Sequence, residues 1–207
     1  MAKYRLNIEF TEKDLSTIYN ADEKVIVVKH TTAGENNQVA WVSFKPFIHN
    51  TIDWENDFAV YASTTEIQGG ATISKLSDKY AGTKIVYELS KGYFANAIPT
   101  DELAENTYAV KNMMKDNDAL TFGLAQSVAV NGQAFVNHPI NAISVPYGQG
   151  AYMTPVEKVD VYLRNDIRSS TVISRIMSIA LPVEYSGSEG EHTITYDGAI
   201  GKFFPIN

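Results

Sequence analysis

The chain has no cysteine among its 207 residues. This absence excludes disulfide bonds, thiolate nucleophiles, thiolate zinc sites and redox motifs. Leucine is scarce, with only 9 residues, and no run of about 18 apolar residues, the length of a membrane-spanning helix, occurs anywhere. Positive charge is also limited, because 17 Lys and Arg stand against 24 Asp and Glu and leave a formal net charge of −7.

The excess of negative charge is spread over both halves of the chain. Residues 1–104 carry 10 basic and 14 acidic side chains, and residues 105–207 carry 7 and 10. A protein that binds nucleic acid without a basic face works against phosphate repulsion, so the sequence argues against a nucleic-acid partner. Adsorption to an anionic membrane by charge alone is disfavoured for the same reason.

The first seven residues contain no apolar core of about 7–15 residues and therefore do not look like a signal peptide. The chain also has no Asn-x-Ser/Thr triplet. We expect a protein that is cytoplasmic as synthesised, with release by lysis or by a non-classical secretion route as the alternative.

Residues with branched β-carbons are abundant, with 17 Val, 18 Ile and 16 Thr. Such stiff side chains favour the pleated surface of a strand, whereas unbranched ones favour helices. Residues 3–10 alternate in the rhythm of a half-buried strand, with Tyr4, Leu6, Ile8 and Phe10 on one face. Composition and rhythm together predict an all-β fold.

Local signals indicate one helix and two hairpins. Thr11 predicts a helix cap followed by one or two turns to about Tyr19. Asn131-Gly132 and Asp197-Gly198 predict tight turns, because these residues tolerate positive φ. Residues 100–115 favour either a helix or a strand near 108–112. Further strands are predicted at 24–30, 39–45, 51–55, 58–63, 71–76, 84–89, 120–130, 134–136, 142–145, 158–163, 172–179, 183–185, 192–196 and 202–205, with a turn at 34–37.

So many short strands cannot form one flat sheet, and they must pack as layers or close. We predict a large antiparallel β-sandwich, residues 1–207, with one or two short helices. The alternative is two fused β subdomains, 1–97 and 118–207, joined by a polar or helical linker.

The sequence contains no signature of an enzyme. Ser186–Gly190 does not fit a Gly-x-Ser-x-Gly nucleophile elbow, and Gly148–Gly150 lacks the third glycine of a phosphate-binding loop. Carboxylate pairs of the glycosidase type stay open, because their members can be distant in sequence. We predict a non-enzymatic protein with no cofactor or metal. The histidines have no short zinc-type spacing: His30, His49, His138 and His192.

Segment 44–58 mixes aromatic rings with carboxylates and amides. An aromatic ring can take the apolar face of a sugar while carboxylates and amides satisfy its hydroxyls, the pattern of an apolar wall with a few placed polar groups. Two further tyrosines lie in loops rich in glycine. The predicted ligand-binding residues are Asp53, Trp54, Asn56, Tyr147 and Tyr152.

The same segment also has a purely structural interpretation. In it, Trp54 and Phe58 belong to the core, and Asp53, Glu55 and Asp57 form a solvated edge that discourages association of sheets. A calcium site built from the three acids is a weaker hypothesis, because the spacing and glycine of an EF-hand are missing.

Residues 121–136 suggest action on membranes. Thr121–Val130 alternates without charge over the roughly 9–11 residues that a membrane-spanning strand needs. The returning strand is less suitable, because His138 and Pro139 interrupt it. A core hairpin accounts for the same alternation. The predicted residues of the membrane hairpin are Phe122, Leu124, Val128 and Val130.

Three functions are therefore in competition. The first is a lectin-like protein that recognises cell-surface carbohydrate. The second is a pore-forming toxin of the insecticidal or cytolytic type, which inserts the hairpin 121–136 into a membrane. The third is a self-assembling structural or storage protein, a homo-oligomer in which strand 201–206 adds to the sheet edge of a neighbour.

Overall fold

In the computed structural model, the described residues form three β-sheets and one helix. The structure describes residues 2–33, 38–173, 179–187 and 189–206. The predicted turn at 34–37 lies outside these residues, as does the segment 174–178 of the predicted strand 172–179.

Strands account for most of the described chain. The helix α1 is Glu12–Asn20. The strands are β1 Lys3–Glu9, β2 Lys24–Thr31, β3 Gln38–Phe44, β4 His49–Glu55, β5 Phe58–Ser63, β6 Lys75–Ala81, β7 Ile85–Ser90, β8 Tyr93–Pro99, β9 Tyr108–Asn112, β10 Ala119–Val130, β11 Gln133–Pro139, β12 Ile143–Pro146, β13 Gly150–Met153, β14 Pro155–Arg164, β15 Val172–Ile173, β16 Leu181–Glu184, β17 Glu189–Asp197 and β18 Lys202–Ile206.

The sheets have nine, four and five strands. The nine-stranded sheet runs β18-β17-β1-β4-β10-β5-β6, with β11 and β12 also paired to β10. The other two run β13-β9-β7-β8 and β15-β3-β2-β14-β16. Most neighbours are antiparallel, whereas β1–β17 and β7–β9 are parallel. The prediction of an all-β, sandwich-type fold is confirmed.

A core cluster takes buried side chains from all three sheets, among them Leu6, Val27 and Leu89. Alternation along the strands produces this arrangement, since β1 turns Leu6 inward and Arg5 outward. Full burial of one such aliphatic side chain contributes about 1.5–3 kcal/mol. The three sheets therefore share one core cluster.

Helix α1 forms where its cap signal lies. The side chain of Thr11 accepts a hydrogen bond of 3.2 Å from the backbone N–H of Asp14. The helix residues Leu15 and Ile18 are buried on its inner face. In the stretch 100–115, all of it described, the structure has the strand β9 and no helix. In the sheet, β9 lies between β7 and β13. This position favours the strand, because it buries the side chain of Val110 in the core.

The two hairpin signals had different outcomes. Asn131 and Gly132 have φ angles of 51° and 81° and form the predicted tight turn between β10 and β11. At Asp197-Gly198 the predicted hairpin forms between β17 and β18, but not with a two-residue turn. The loop there is longer, and it closes with a 2.9 Å hydrogen bond from Gly201 N–H to the Asp197 carbonyl.

Candidate functional site

Trp54 lies in the core rather than on an open surface. It is 4% exposed, and its ring contacts the rings of Tyr4, stacked at 5.6 Å, and Trp41, edge-on at 5.5 Å. Phe58 is buried as well. The packing therefore matches the structural interpretation of these two residues and leaves no open indole face for a sugar.

A buried cation lies beside these rings. The side chain of Lys29 is fully enclosed, and its Nζ donates a 2.8 Å hydrogen bond to Oε2 of Glu157. Burial lowers the pKa of Lys29, while the charge of Glu157 acts against this. The Lys29 cage is defined by this ion pair and four rings within 5.2–5.9 Å of Nζ, those of Tyr4, Trp41, Trp54 and Phe58.

A β-bulge brings Glu157 to the cage. In the ladder between β14 and β2, Val156 pairs with His30 and Val159 pairs with Lys29, so that Glu157 and Lys158 are extra residues in β14. Bulges re-aim side chains in this way. Because all four rings are buried, the cage is a structural element of the core.

The other predicted residues of this segment do not share a site with Trp54. Asp53 is its neighbour on β4 and faces outward, where its Oδ1 accepts a 2.7 Å hydrogen bond from Nε of Arg5. Asn56 is half-buried and donates from Nδ2 to the hydroxyl of Tyr4 at 3.4 Å. Successive residues of a strand face opposite sides, so the side chains of Asp53 and Trp54 point away from each other.

The acids of this segment do not cluster around a metal position. Asp53 is paired with Arg5, and Oε1 of Glu55 lies 3.2 Å from Nζ of Lys3. Within residues 2–33, 38–173, 179–187 and 189–206, no group of three His, Asp or Glu side chains is placed to hold a metal ion.

Tyr147 and Tyr152 are on the surface, as expected of ligand-binding residues, with 40% and 63% exposure. Tyr152 belongs to β13, the edge strand of the four-stranded sheet. Tyr147 lies in the loop between β12 and β13, which is tied to the end of β9 by hydrogen bonds from Gly148 N–H to Asn112 O, 2.7 Å, and from Asn112 N–H to Gln149 O, 2.9 Å.

The outer surface of the four-stranded sheet carries two rows of side chains that cross its strands. We call this surface the Tyr152 face. The apolar row is Tyr152, Ala109, Val86 and Ile98, and the polar row is Gly150, Lys111, Glu88 and Asn96. The alternate residues of the same strands point into the core: Tyr87, Leu89, Val110, Ala151 and Met153.

The polar row is held together by its own contacts. Oε2 of Glu88 accepts a 3.0 Å hydrogen bond from Nδ2 of Asn96, and Oε1 lies 3.4 Å from Nζ of Lys111. The amide hydrogen bond and then the Lys111 charge lower the pKa of Glu88. The row therefore offers a fixed carboxylate flanked by an amide and an ammonium.

Sequence reasoning missed most of this face. The alternation of strand 84–89 places Val86 and Glu88 on the side opposite Tyr87, and this signal was available. Lys111 was hidden by the undecided helix or strand at 100–115. No prediction covered β8, because all its residues except Phe94 are exposed and it shows no alternation.

The predicted membrane hairpin is in the centre of the fold. Phe122, Leu124, Val128 and Val130 are all buried, and β10 pairs with β5 and β4 as well as with β11 and β12. Insertion would remove a central strand from the nine-stranded sheet. In the described part of the chain, no helix is long and apolar enough to cross a membrane.

Comparison with protein families, with curated proteins and with solved structures finds no match for this chain. Any functional assignment therefore depends on the geometry of its surfaces.

Proposed function

We propose that the protein is a non-enzymatic, lectin-like protein that recognises cell-surface carbohydrate through the Tyr152 face. The observation that carries this proposal is the 63% exposure of Tyr152 at the end of an apolar row that runs beside a fixed polar row. In this proposal the ring that contacts the sugar is that of Tyr152, because Trp54 is buried.

The apolar row provides the wall of the site. Tyr152 and Ile98, at its two ends, are exposed, whereas Val86 is half-buried and Ala109 is fully buried beside Tyr152, so the two end residues form the exposed part of the wall. Tyrosine gives a large contact area at a small cost in conformational entropy, because few bonds must be fixed. Its ring can take the apolar face of a sugar, and its hydroxyl stays free for hydrogen bonds.

The polar row provides hydrogen bonds for sugar hydroxyls. Adjacent outward positions along a strand are about 7 Å apart, so a ligand on the Tyr152 ring can reach the next row. Glu88 can accept hydrogen bonds, Lys111 can donate them, and Asn96 can do both. Because Glu88 already holds Asn96 and Lys111 in place, little ordering is needed on binding.

The exposed ring of Tyr152 gives the direct test. A glycan array identifies candidate sugars, and titration calorimetry measures their affinity for the wild type and for Tyr152→Ala. We expect the variant to bind at least about tenfold more weakly, since a buried aromatic contact accounts for more than about 1.4 kcal/mol. Tyr80→Ala is the matched control, because Tyr80 is 60% exposed on β6, in a different sheet.

The proposal fails if the wild type shows no saturable sugar binding, or if Tyr152→Ala and Tyr80→Ala weaken binding equally. Circular dichroism of both variants confirms that each is folded. Lys111→Met, which keeps the length of the side chain and removes its charge, tests the polar row separately.

A further inference from the structure

An apolar loop projects from one end of the sandwich. Residues 45–48 connect β3 to β4, and Phe47 and Ile48 are exposed, Phe47 by 60%. The buried Asn50 fixes this loop, because its Oδ1 accepts from Phe47 N–H and its Nδ2 donates to Phe47 O, both at 2.8 Å. The hydroxyl of Tyr19 donates to the carbonyl of Pro46 at 2.5 Å.

This construction suits a loop that enters an apolar phase. Three of its backbone polar groups are satisfied inside the protein, so they need no partner from outside. An unsatisfied backbone group would cost several kcal/mol in the same place. The loop therefore exposes the apolar side chains of Phe47 and Ile48 while Asn50 and Tyr19 hold its backbone in place.

A basic depression lies beside the loop. It is bounded by the start of β2, the end of β3 and the segment after β14, and its lining residues are Lys24, Ser43, Phe44, Lys45, Arg168 and Ser169. Two hydrogen bonds hold its wall together: Ser43 N–H donates to Oγ of Ser169, and Oγ of Ser43 donates to Ile167 O, both at 2.9 Å.

Two cations of this depression are available for an anion. Lys45 is paired with Asp22 at 3.0 Å. Lys24 and Arg168 form no ion pair with any of the residues that the structure describes. The lining of the depression thus contains three cations, although the chain has a net charge of −7. Counting charges over the two halves of the sequence could not detect this local group.

We infer that this end of the molecule binds the surface of a phospholipid bilayer. Lys24 and Arg168 take a headgroup phosphate, and Phe47 and Ile48 enter the interface next to it. Lys45 lines the depression and also begins the loop, so the two features meet. A soluble phosphate would use the cations alone, whereas a bilayer uses the cations and the apolar loop together.

The test is co-sedimentation of the full chain with vesicles of phosphatidylcholine, alone and mixed with phosphatidylserine. We expect reversible binding that is stronger with phosphatidylserine. The double substitution Phe47→Ser, Ile48→Ser should reduce partition into both kinds of vesicle at least about tenfold. Lys24→Ala with Arg168→Ala should remove the gain that phosphatidylserine gives and leave the rest of the binding.

Val136→Ser is the control for loss of an exposed apolar side chain, because Val136 is 64% exposed on β11. The inference is overturned if the wild type stays in the supernatant with both compositions, or if the Phe47, Ile48 variant sediments like the wild type. Release of the bound protein by millimolar inorganic phosphate, with no effect of the loop substitutions, would identify a simple anion site instead. Tyr152→Ala should bind vesicles normally, so this inference is independent of the proposed function.

Discussion

Two Lys–Glu pairs lie near aromatic residues in this molecule, and they differ in the exposure of the lysine. In the Lys29 cage, the ammonium and carboxylate are 2.8 Å apart and the lysine side chain has no exposure. On the Tyr152 face, Lys111 and Glu88 are 3.4 Å apart, and the lysine side chain is 39% exposed although that of Glu88 is only 15% exposed. The same residue types therefore form a buried ion pair within the core in one region and a surface pair with a solvent-accessible lysine in the other.

The difference arises from the side of the sheet on which each pair falls. Lys29 is on the inner side, where its charge is costly unless Glu157 accompanies it. Lys111 is on the outer side, where an ion pair contributes little to stability. An aromatic ring next to a charge in the sequence therefore indicates a binding site only when the ring faces outward.

The largest effect is expected at Trp54. Trp54→Ala removes a buried ring from the cage and should lower the free energy of unfolding by about 3–5 kcal/mol. Tyr152→Ala, an exposed position, should change it by no more than about 0.5 kcal/mol. Urea unfolding of the two variants measures the contrast. Equal losses in both would contradict the assignment of one ring to the core and the other to the surface.

The next effect concerns the two carboxylates. Glu157→Ala leaves the buried ammonium of Lys29 without its partner and should cost about 3 kcal/mol. Glu88→Ala should cost at most about 1 kcal/mol, because its partner Lys111 is 39% exposed and can be solvated by water when the carboxylate is removed. The same unfolding experiment checks both values. A mild Glu157→Ala variant would mean that the Lys29 charge is satisfied in another way.

A smaller effect is expected on the pH dependence of stability. Burial lowers the pKa of Lys29 below its ordinary value of 10.5. Between the lowered pKa and 10.5 the unfolded chain binds more protons, so the stability of the wild type relative to Lys29→Met should rise with pH. Below the lowered pKa the cost of the buried charge is complete, and the difference should be constant.

Unfolding of the wild type and Lys29→Met from pH 7 to about 10 tests this dependence. Burial raises the pKa of Tyr4 above its ordinary value of 10.0 and that of Tyr108 to about 12, so tyrosine ionisation in the unfolded chain lowers the stability of both proteins towards pH 10, and the difference between them reports Lys29. A stability difference that does not change with pH would show that the folded protein keeps Lys29 charged throughout.

Much of the fold could be predicted from local patterns. The alternation in β1, the cap at Thr11 and the turn at Asn131-Gly132 each depend on residues close in sequence, and each formed where expected. The predicted strand 71–76 is shifted, since β6 begins only at Lys75. This edge strand is largely exposed and has little apolar alternation to mark its limits.

The site was predictable only in part, because it depends on which strands become neighbours. Tyr152 was expected on the surface, but its partners Glu88 and Lys111 come from β7 and β9, which pair in parallel. Glu157 reaches Lys29 across 128 residues of chain through a bulge that no local pattern announces. The choice between the two interpretations of Trp54 depended on the same kind of information, since its neighbour Trp41 comes from another sheet.

The most direct measurement is a map of backbone amide chemical shifts during titration with the sugar that binds best in the array. Binding at the Tyr152 face predicts that the changes gather at residues 86–88, 96–98, 109–111 and 150–152. Changes centred instead on Asp53 and Asn56, with these four segments unaffected, would contradict the proposed site.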